Sequence, residues 1–558
     1  MKRSTAAALF AILLLAVVMR LLPLLRSLYW GSDFGEYYAL TKALADSGTL
    51  PTDYRGWGVT YPYFPGLYAV TGTFAVSGMP ADAATALVVP LLAGFAVLPL
   101  FLLAARVARD DLAGLVAAAF LAVAMPHVYA TSHATPASLG DLLLVASLLM
   151  FVALRRCPKL FAPLLLAGLA IVTTHHLAAY VLVLAAASAL LLRAVLDAKL
   201  TVRAVRLELA FLAVLLAATL AFWIGYAPSL WTLVTNEASV PAYLMAAGAA
   251  ALVLLVPLVI VLRTRAAWRF RPRARSARGA GFAAGVAAVT AFAIVGLATF
   301  VPVAGTTIRL DLATPLLFAP FFAFLGFAAA GRKAMDFSRE GPDVTAWFLA
   351  LVLSIVFGAL VAPEVLIPYR HIEYATIPLA VMVGMGWRWL TMAEGARGQA
   401  VAGGVALLLV AGTAASALPT REAVVGFEEG ISPRTVEAAL WVGENADGLV
   451  AGDHRLSTAL FGFGGVDATW DRAGDFWHTE DLGATLAAMT NVPVVDGFTN
   501  VSWVVIDADL RAGVQTSPFA PAAPLLPAEA AKFGTTPFQK LFDSGYAQAY
   551  VVNWGLAP

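Results

Sequence analysis

Residues 6–25, AAALFAILLLAVVMRLLPLL, form an almost unbroken apolar run directly after the basic start Met1-Lys2-Arg3. About 20 apolar residues are needed for a helix to cross the hydrocarbon core of a bilayer. A secretory signal peptide also starts with basic residues, but its apolar core is shorter and ends at a small-residue cleavage motif. No clear motif of that kind follows here, so the run predicts a retained first membrane helix.

The rest of the chain repeats this pattern. Of its 558 residues 61% are hydrophobic and only 13% are charged, whereas soluble globular domains carry about 25% charged residues. With the first run, the apolar stretches predict an all-α polytopic membrane domain over residues 1–417 with about thirteen transmembrane helices. The further runs lie near 83–105, 112–126, 139–154, 160–174, 177–192, 207–226, 241–262, 280–303, 312–330, 344–361, 373–391 and 399–417.

Basic residues predict the orientation, because lysine and arginine concentrate in cytoplasmic loops. With a cytoplasmic N-terminus, every basic cluster falls on the same face, provided that 160–174 and 177–192 are two helices and not one. The protein is therefore expected in the cell membrane with its C-terminal residues outside the cytoplasm. The arginine-rich loop at 263–278 is interpreted as a contact with anionic membrane lipids, and no nucleic acid partner is expected.

The composition changes at about Leu418, where charged residues, tryptophans and turn signals appear. Short apolar runs bounded by turn residues are typical of strands. Ser432 followed by Pro433 is typical of a capped helix start. Residues 418–558 are therefore predicted to form a small extracytoplasmic α/β domain, with strands at 448–452, 492–495, 503–506 and 549–553.

The first predicted outer loop carries two carboxylates, Asp33 and Glu36. Three residues apart, they share one face if the segment is helical. A carboxylate at a membrane boundary is costly unless it is paired, bound to metal or functional, so both are candidate catalytic residues. Tyr61 and Tyr63, in the segment Tyr61-Pro-Tyr-Phe-Pro65, are candidate substrate contacts. The alternatives are a solvated loop for the carboxylates and an aromatic interface belt for the tyrosines.

A second predicted outer loop contains His127, His133 and Asp141. These side chains could contact a phosphate or a divalent metal such as Mg²⁺ or Mn²⁺, although their spacing matches no strong metal motif. A solvated loop with Asp141 at a helix start is the alternative. His133 is a candidate substrate-binding residue, and the metal ligands are left unassigned.

Three more candidate substrate-binding positions interrupt apolar stretches, namely the pair His175-His176, then Arg370 and His371. Arginine suits phosphate because its planar guanidinium presents a fork of donors. The alternatives are a hydrogen-bonded interfacial turn for the histidine pair and an ion pair of Arg370 with Glu364 or Glu373. All these features fall on the predicted outer face, which suits chemistry on an anionic lipid head group with one carboxylate as general base.

This arrangement resembles the GT-C superfamily of membrane glycosyltransferases. The layout is similar to that of the oligosaccharyltransferase catalytic subunit or of protein mannosyltransferases. The resemblance rests on Asp33 just after the first helix, the proline-aromatic segment 61–65, the short helices around 166–175 and the strand hairpin at 538–550. Trp470-Asp471 lacks the paired tryptophan of the sequon-reading motif, so recognition of a sequon is not expected.

The resemblance implies an inverting glycosyltransferase that uses a sugar linked to polyprenyl phosphate, with Asp33 as general base and Glu36 as the nearby alternative. The acceptor would be a glycan, a lipid or a protein. Two alternatives remain open, which are a transporter or flippase of lipid-linked glycans and a non-enzymatic membrane assembly protein. A transporter usually places charges inside its spans, whereas most charges here lie at the ends of the predicted spans, with Arg20 as a partial exception.

Overall fold

The computed structural model describes residues 2–197, 199–238, 255–261, 277–302, 309–361, 366–392, 396–418, 429–470, 476–490, 492, 500–515 and 522–557. The chain divides into two compact units. We call the first the helical unit, comprising Met1–Leu21, Pro90–Gly305 and Asp311–Leu418, and the second the mixed unit, comprising Leu22–Val89, Thr306–Leu310 and Pro419–Pro558. The first predicted outer loop, with Asp33 and Glu36, therefore belongs to the same unit as the C-terminal residues.

The chain is mostly helical. Its α-helices in the described residues span Arg3–Leu21, Phe34–Ser47, Gly66–Val76, Ala81–Gly94, Val97–Ala108, Asp111–Val123, Met125–Thr131, Pro136–Leu154, Phe161–Thr174, His176–Leu196, Arg206–Gly225, Pro228–Ala238, Ala277–Leu297, Ala313–Leu317, Ala319–Met335, Gly341–Val361, His371–Thr391, Ala396–Ala415, Pro433–Asn445, His454–Ala459, Leu482–Ala488, Ala508–Ala512 and Pro527–Ala531.

The part of the chain that the structure describes contains fewer helices of membrane-spanning length than the thirteen that the sequence predicted. Within the described residues, seven helices are long and apolar enough to cross a bilayer, or eight if the bent pair Asp111–Val123 and Met125–Thr131 counts as one span. The predicted count of thirteen is not confirmed. Some predicted spans form shorter helices, such as Pro158–Thr174, and the run at 241–262 lies mostly outside the described residues. The multi-pass architecture itself agrees with the length and composition of these helices.

The break between two predicted helices is confirmed. Phe161–Thr174 and His176–Leu196 are separate helices, with His175 between them in extended conformation at φ −155° and ψ 121°. The His175 Nδ1 atom accepts a hydrogen bond from the Ala178 backbone N–H at 3.3 Å. An imidazole in the N-cap position thus satisfies one of the donors that a new helix leaves without an internal partner.

Two helices of the helical unit meet backbone to backbone. A Cβ atom added to Gly331 would lie 1.8 Å from the Met382 carbonyl oxygen, and one added to Gly386 would lie 1.9 Å from the Phe327 carbonyl oxygen. Small residues allow such close approach of membrane helices. The contact packs the helix His371–Thr391 against the helix Ala319–Met335.

The mixed unit contains the predicted sheet. In the described residues the strands are β1 Tyr29–Trp30, β2 Gly430–Ile431, β3 Leu449–Ala451, β4 Val501–Asp507, β5 Phe538–Asp543 and β6 Ala547–Val552. A four-stranded sheet has the order β3-β4-β6-β5, in which β3 and β4 are parallel and the other pairs antiparallel. The strands predicted at 448–452, 503–506 and 549–553 and the hairpin at 538–550 are confirmed, whereas 492–495 lies largely outside the described residues.

One helix packed in this unit begins where the sequence predicted. Pro433–Asn445 starts after Ser432, whose hydroxyl accepts a hydrogen bond from the Arg434 backbone N–H at 3.2 Å. Proline in the first helical position costs nothing there, because its missing N–H would have had no partner in the helix. The short pairing of β1 with β2 ties Tyr29 to Ile431 within the same unit.

Candidate functional site

Asp33 occupies the N-cap position of the helix Phe34–Ser47 but makes no side-chain capping bond. An aspartate at this position normally accepts hydrogen bonds from the first turn of its own helix. Here its Oδ1 atom lies 2.9 Å from His454 Nε2, and its Oδ2 atom accepts a long hydrogen bond of 3.4 Å from the Tyr61 hydroxyl. The side chain is 23% exposed, so the carboxylate is held by the protein and is still accessible.

Glu36, one turn further along the same helix, is fully buried. Its Oε1 atom accepts a hydrogen bond of 2.5 Å from the Trp57 backbone N–H. Burial and the nearby charge of Asp33 raise the pKa of Glu36 to about 8, although His454, the Trp57 N–H and Tyr54 act in the opposite direction. The carboxyl group is therefore mostly protonated at neutral pH, and it anchors the segment around Trp57.

Aromatic rings surround the Asp33 carboxylate. The Tyr61 ring lies 5.2 Å from Tyr37 and 6.4 Å from Trp57, measured between centroids. The Tyr61 hydroxyl therefore lies beside the Asp33 carboxylate, and its predicted contact with substrate stays a prediction. Tyr63 is half-buried two positions along the same short 3₁₀ turn, Tyr61–Tyr63.

His454 is the residue that sequence reasoning missed. It opens the helix His454–Ala459, which follows β3 after Gly452 and Asp453. Its imidazole is buried and lies edge to face with Trp57, with 5.0 Å between centroids. A signal was present, because polar residues directly after a buried parallel strand are where α/β folds place functional side chains.

Two contacts fix the helix that carries His454. Asp453 caps it, accepting hydrogen bonds from the backbone N–H groups of Leu456 at 2.9 Å and Gln515 at 3.1 Å. Arg455 Nη2 donates to both carboxylate oxygens of Asp507 at 2.7 Å. Burial alone would raise the pKa of Asp507, but the Arg455 guanidinium, with other hydrogen bonds, keeps that pKa below its usual value.

Glycine brings the Asp33 helix against the His454 helix. A Cβ atom on Gly35 would lie 1.9 Å from the Thr458 carbonyl oxygen, and one on Gly462 would lie 2.2 Å from the Gly35 carbonyl oxygen. The Thr458 hydroxyl also donates to the Ser32 carbonyl oxygen at 2.6 Å. This close backbone contact places the Asp33 carboxylate within hydrogen-bond distance of the imidazole.

A second cluster lies in the helical unit. Arg370 ends a 3₁₀ turn directly before the helix His371–Thr391, and its charge acts on both His175 and His176. The two imidazoles are 5.0 Å apart between centroids, and the Tyr374 hydroxyl lies 3.2 Å from His175 Nδ1. The structure thus brings together three of the residues that the sequence predicted to bind phosphate.

A buried carboxyl group, that of Glu373, lies near the basic residues of this cluster. Glu373 is buried and interacts electrostatically with Arg370 and His133. His133 is half-buried, with Nδ1 2.8 Å from the Tyr129 carbonyl oxygen. The alternative partner for Arg370, Glu364, lies outside the described residues. Arg370 therefore interacts electrostatically with Glu373, and its role in phosphate binding stays a prediction.

His371 is held by a different network. Its Nε2 atom lies 2.9 Å from the Ser354 hydroxyl, which lies 2.8 Å from the Tyr180 hydroxyl. The side chain is buried. Its predicted contact with substrate stays a prediction, and the contacts seen here tie the start of its helix to two neighbouring helices.

The alternative of a solvated loop at 127–141 does not hold for His127 and Asp141, because both side chains are fully buried. Arg20 Nη2 lies 2.7 Å from His127 Nδ1, and His127 Nε2 lies 3.4 Å from Asp141 Oδ2. Arginine can only donate, so Nδ1 accepts and the proton of the neutral ring sits on Nε2, facing the carboxylate. Helices Met125–Thr131 and Pro136–Leu154 hold these groups inside the helical unit, where Arg20 offsets the cost of burying Asp141.

A metal site finds no support in the part of the chain that the structure describes. In that part, no three His, Cys, Asp or Glu side chains are grouped so that they could hold a metal ion. The divalent ion considered from the sequence therefore has no assigned ligands.

No protein-family model matches the chain, and no curated protein matches its sequence. Among solved structures, it is similar to the archaeal oligosaccharyltransferase AglB from Archaeoglobus fulgidus in complex with an inhibitory peptide and a dolichol-phosphate. The TM-score is 0.57 and the sequence identity 15%, over 100% of this chain and 75% of that chain. The same values hold for that enzyme tethered with an acceptor peptide containing the NVT sequon.

A further match is ArnT from Cupriavidus metallidurans bound to undecaprenyl phosphate, at 14% identity over 99% of this chain and 98% of that chain. Its TM-score of 0.34 is too low to support a structural argument. The match shows that the chain has a fold similar to that of the oligosaccharyltransferase, in agreement with the resemblance stated from the sequence. At this sequence identity, the similarity to the Archaeoglobus fulgidus enzyme concerns the fold alone.

Proposed function

We propose that this protein is an integral membrane glycosyltransferase that moves a sugar from a polyprenyl-phosphate-linked donor to a hydroxyl group of an extracytoplasmic glycan, lipid or protein. The observation that carries the proposal is Asp33. Its carboxylate is diverted from capping its own helix, held by His454 and left partly exposed, in a chain with the GT-C fold. A carboxylate kept in this state is suited to act as a general base.

In the proposed reaction, Asp33 Oδ2 accepts the proton of the acceptor hydroxyl. The acceptor oxygen then forms a bond to the anomeric carbon of the sugar, and the bond from that carbon to the phosphate oxygen breaks with inversion. Glu36 is the weaker candidate for the base, because it is fully buried and bonded to the backbone of Trp57.

Arg370 is the proposed ligand of the leaving phosphate, assisted by His175 or His176. The guanidinium can donate two parallel hydrogen bonds to phosphate oxygens, and its charge already acts on both imidazoles. The similar archaeal oligosaccharyltransferase was solved in complex with a dolichol-phosphate, which supports a polyprenyl phosphate here. His133, His371, Tyr61 and Tyr63 stay predicted contacts of the donor or acceptor.

The test is sugar transfer by the purified protein in lipid, from a pool of polyprenyl-phosphate-linked sugars. We expect Asp33→Asn to lower the rate by about 10²–10⁴-fold, with unchanged folding. Asp46→Asn is the matched control, because Asp46 lies exposed on the same helix and pairs only locally with Lys42. Equal rates for wild type and Asp33→Asn would overturn the role of Asp33.

The second candidate is a flippase of lipid-linked glycans. It is favoured by the buried series Arg20, His127 and Asp141 in the helical unit, because ionisable groups inside membrane segments often mark transport paths. Movement of a fluorescent lipid-linked sugar across the bilayer, without sugar transfer by the wild-type protein from any donor, would favour this alternative and would contradict the glycosyltransferase.

A further inference from the structure

In the hydrogen bond between Asp33 and His454, the imidazole is the donor. An ionised carboxylate only accepts hydrogen bonds, and Oδ1 lies 2.9 Å from Nε2, which is a normal hydrogen-bond distance. With Asp33 ionised, as a general base must be, Nε2 is therefore the donor. Oδ1 also accepts a hydrogen bond of 3.3 Å from the Ser32 hydroxyl, and Oδ2 accepts the long bond of 3.4 Å from the Tyr61 hydroxyl. A carboxylate oxygen can accept two hydrogen bonds, so an acceptor hydroxyl can approach Oδ2 beside Tyr61.

The imidazole is fixed by its surroundings. It is buried against the Trp57 ring, and the His454 backbone N–H donates to the Gln515 carbonyl oxygen at 3.0 Å. The Asp453 cap and the buried pair of Arg455 with Asp507 hold the start of its helix. A ring held in this way can determine the direction of the carboxylate to which it donates.

His454 competes with the helix for the carboxylate. Asp33 is at the N-cap of Phe34–Ser47, where a side-chain carboxylate normally accepts from N–H groups of the first turn. Here the Phe34 and Glu36 N–H groups donate to the Gly31 and Asp33 carbonyl oxygens. The described structure has no such capping bond. Without the imidazole donor, the side chain is expected to turn back to its own helix, and the partly exposed oxygen would then be withdrawn from an acceptor.

We propose that His454 is a positioning residue of the reaction, which holds Asp33 Oδ1 through Nε2–H and thereby directs Oδ2 to the acceptor hydroxyl. This inference rests on the proposed glycosyltransferase function. In the transfer step the acceptor proton moves to Oδ2 and the acceptor oxygen forms its bond to the anomeric carbon. The lipid phosphate leaves with the electron pair of the broken bond, and the Nε2 proton stays on the imidazole.

The pair has a consequence for pH dependence. A second proton on the imidazole adds a positive charge beside Asp33, and a neighbouring positive charge makes a carboxylate a weaker base. The rate of the wild-type protein is therefore expected to fall at acidic pH as His454 takes up a proton. The ionisable groups around the imidazole are Asp33 and Glu36 on the Asp33 helix, Tyr61 on the aromatic turn, and Asp453, Arg455 and Asp507 on its own side.

The experiment compares two substitutions of His454 in the full-length protein in lipid. The side-chain amide nitrogen of His454→Gln can donate from about the position of Nε2, whereas His454→Leu fills similar space without a donor. We expect kcat/KM of the glutamine variant within about tenfold of wild type, and a loss of about hundredfold or more for leucine. The glutamine variant should also lack the acidic limb that His454 gives the wild-type profile.

The possible outcomes distinguish a failure of the His454 positioning role from a failure of the proposed glycosyltransferase function. If wild type transfers sugar, Asp33→Asn does not, and both His454 variants match wild type, the positioning role is wrong and the function stands. If wild type transfers nothing, the function itself fails. If the leucine variant does not fold, the glutamine variant decides, because a loss of about hundredfold or more in its kcat/KM, although the N–H donor is kept, would contradict the proposal.

Discussion

Asp33 and Glu36 are chemically similar carboxylates three residues apart, and their surroundings give them different properties. Asp33 is partly exposed and accepts a bond from an imidazole, whereas Glu36 is fully buried and accepts one from a backbone N–H. Burial penalises the charged form of a carboxyl group. The residue with the accessible oxygen is therefore suited to proton transfer, and the buried residue is suited to holding the backbone around Trp57.

This difference predicts a pH-dependent stability that disappears in Glu36→Gln. The folded-state pKa of Glu36, about 8, lies above its ordinary value of 4.5. The stabilisation is thus fully present below the ordinary value and is lost as the pH rises through about 8. The melting temperature of the wild-type protein should fall between about pH 4.5 and pH 8, the ordinary and the folded-state pKa of Glu36, and that of Glu36→Gln, which imitates the protonated group, should fall less.

Sugar transfer provides the control for this prediction. Because Glu36 is proposed to anchor the backbone and not to act as the base, Glu36→Gln should retain a transfer rate of the same order as wild type. If Glu36→Gln transferred sugar as slowly as Asp33→Asn, the proposed role of Glu36 as a backbone anchor that does not act in the reaction would be wrong. Parallel melting curves of wild type and Glu36→Gln at every pH would show that Glu36 is not protonated in the folded protein.

At the scale of elements, the contact between the Asp33 helix and the His454 helix depends on Gly35. A Cβ atom there would overlap the Thr458 carbonyl oxygen at 1.9 Å, and backbone cannot move aside as a flexible side chain can. Gly35→Ala should therefore separate the two helices, lower stability by about 1–3 kcal/mol and reduce transfer by lengthening the contact of Asp33 with His454.

Gly72→Ala is the matched control for Gly35→Ala. Gly72 is also a buried helical glycine of the mixed unit, but an added Cβ would lie 3.4 Å from the Leu44 side chain, which is ordinary contact. Alanine is a better helix former than glycine by about 1 kcal/mol. Thermal unfolding and transfer rates of the two variants check the prediction, and similar effects of both substitutions would show that the Gly35 contact is unimportant.

Which elements were predictable from the sequence follows from the range of the interactions. The helix start at Ser432, the hairpin at 538–550 and the break at His175 depend on neighbouring residues, and the sequence predicted each of them. The contact of His454 with Asp33 joins positions 421 residues apart, and that of Arg20 with His127 joins positions 107 apart. Local patterns contain no information on such pairs.

Two interpretations depended on packing that local patterns do not specify. A solvated loop was one of the two alternatives for residues 127–141, yet tertiary packing buries His127 and Asp141 and pairs them with Arg20. The span count relied on apolar length, which does not show where a helix bends, as at the 58° break between Asp111–Val123 and Met125–Thr131. Charge and hydropathy patterns thus identify a multi-pass membrane protein, but they do not specify where its helices bend or which buried side chains pair.

At the scale of the whole molecule, kinetics can test whether Asp33 and Arg370 serve one reaction. Asp33→Asn should lower kcat with little change in KM for the lipid donor, because the base acts in the transition state. Arg370→Met should raise KM as well as lower kcat, because an arginine on the donor phosphate contributes to binding before and during the reaction.

The double variant provides the decisive comparison. If Asp33 and Arg370 stabilise the same transition state, the loss of the double variant should be smaller than the product of the two single losses, since groups that act as a unit are not additive. Arg388→Met is the control, because Arg388 lies at the other end of the same helix, where it pairs with Asp110 at 2.7 Å. It should leave KM for the donor unchanged. An unchanged KM in Arg370→Met would remove Arg370 from the donor site, and the electrostatic interaction with Glu373 would then be its role.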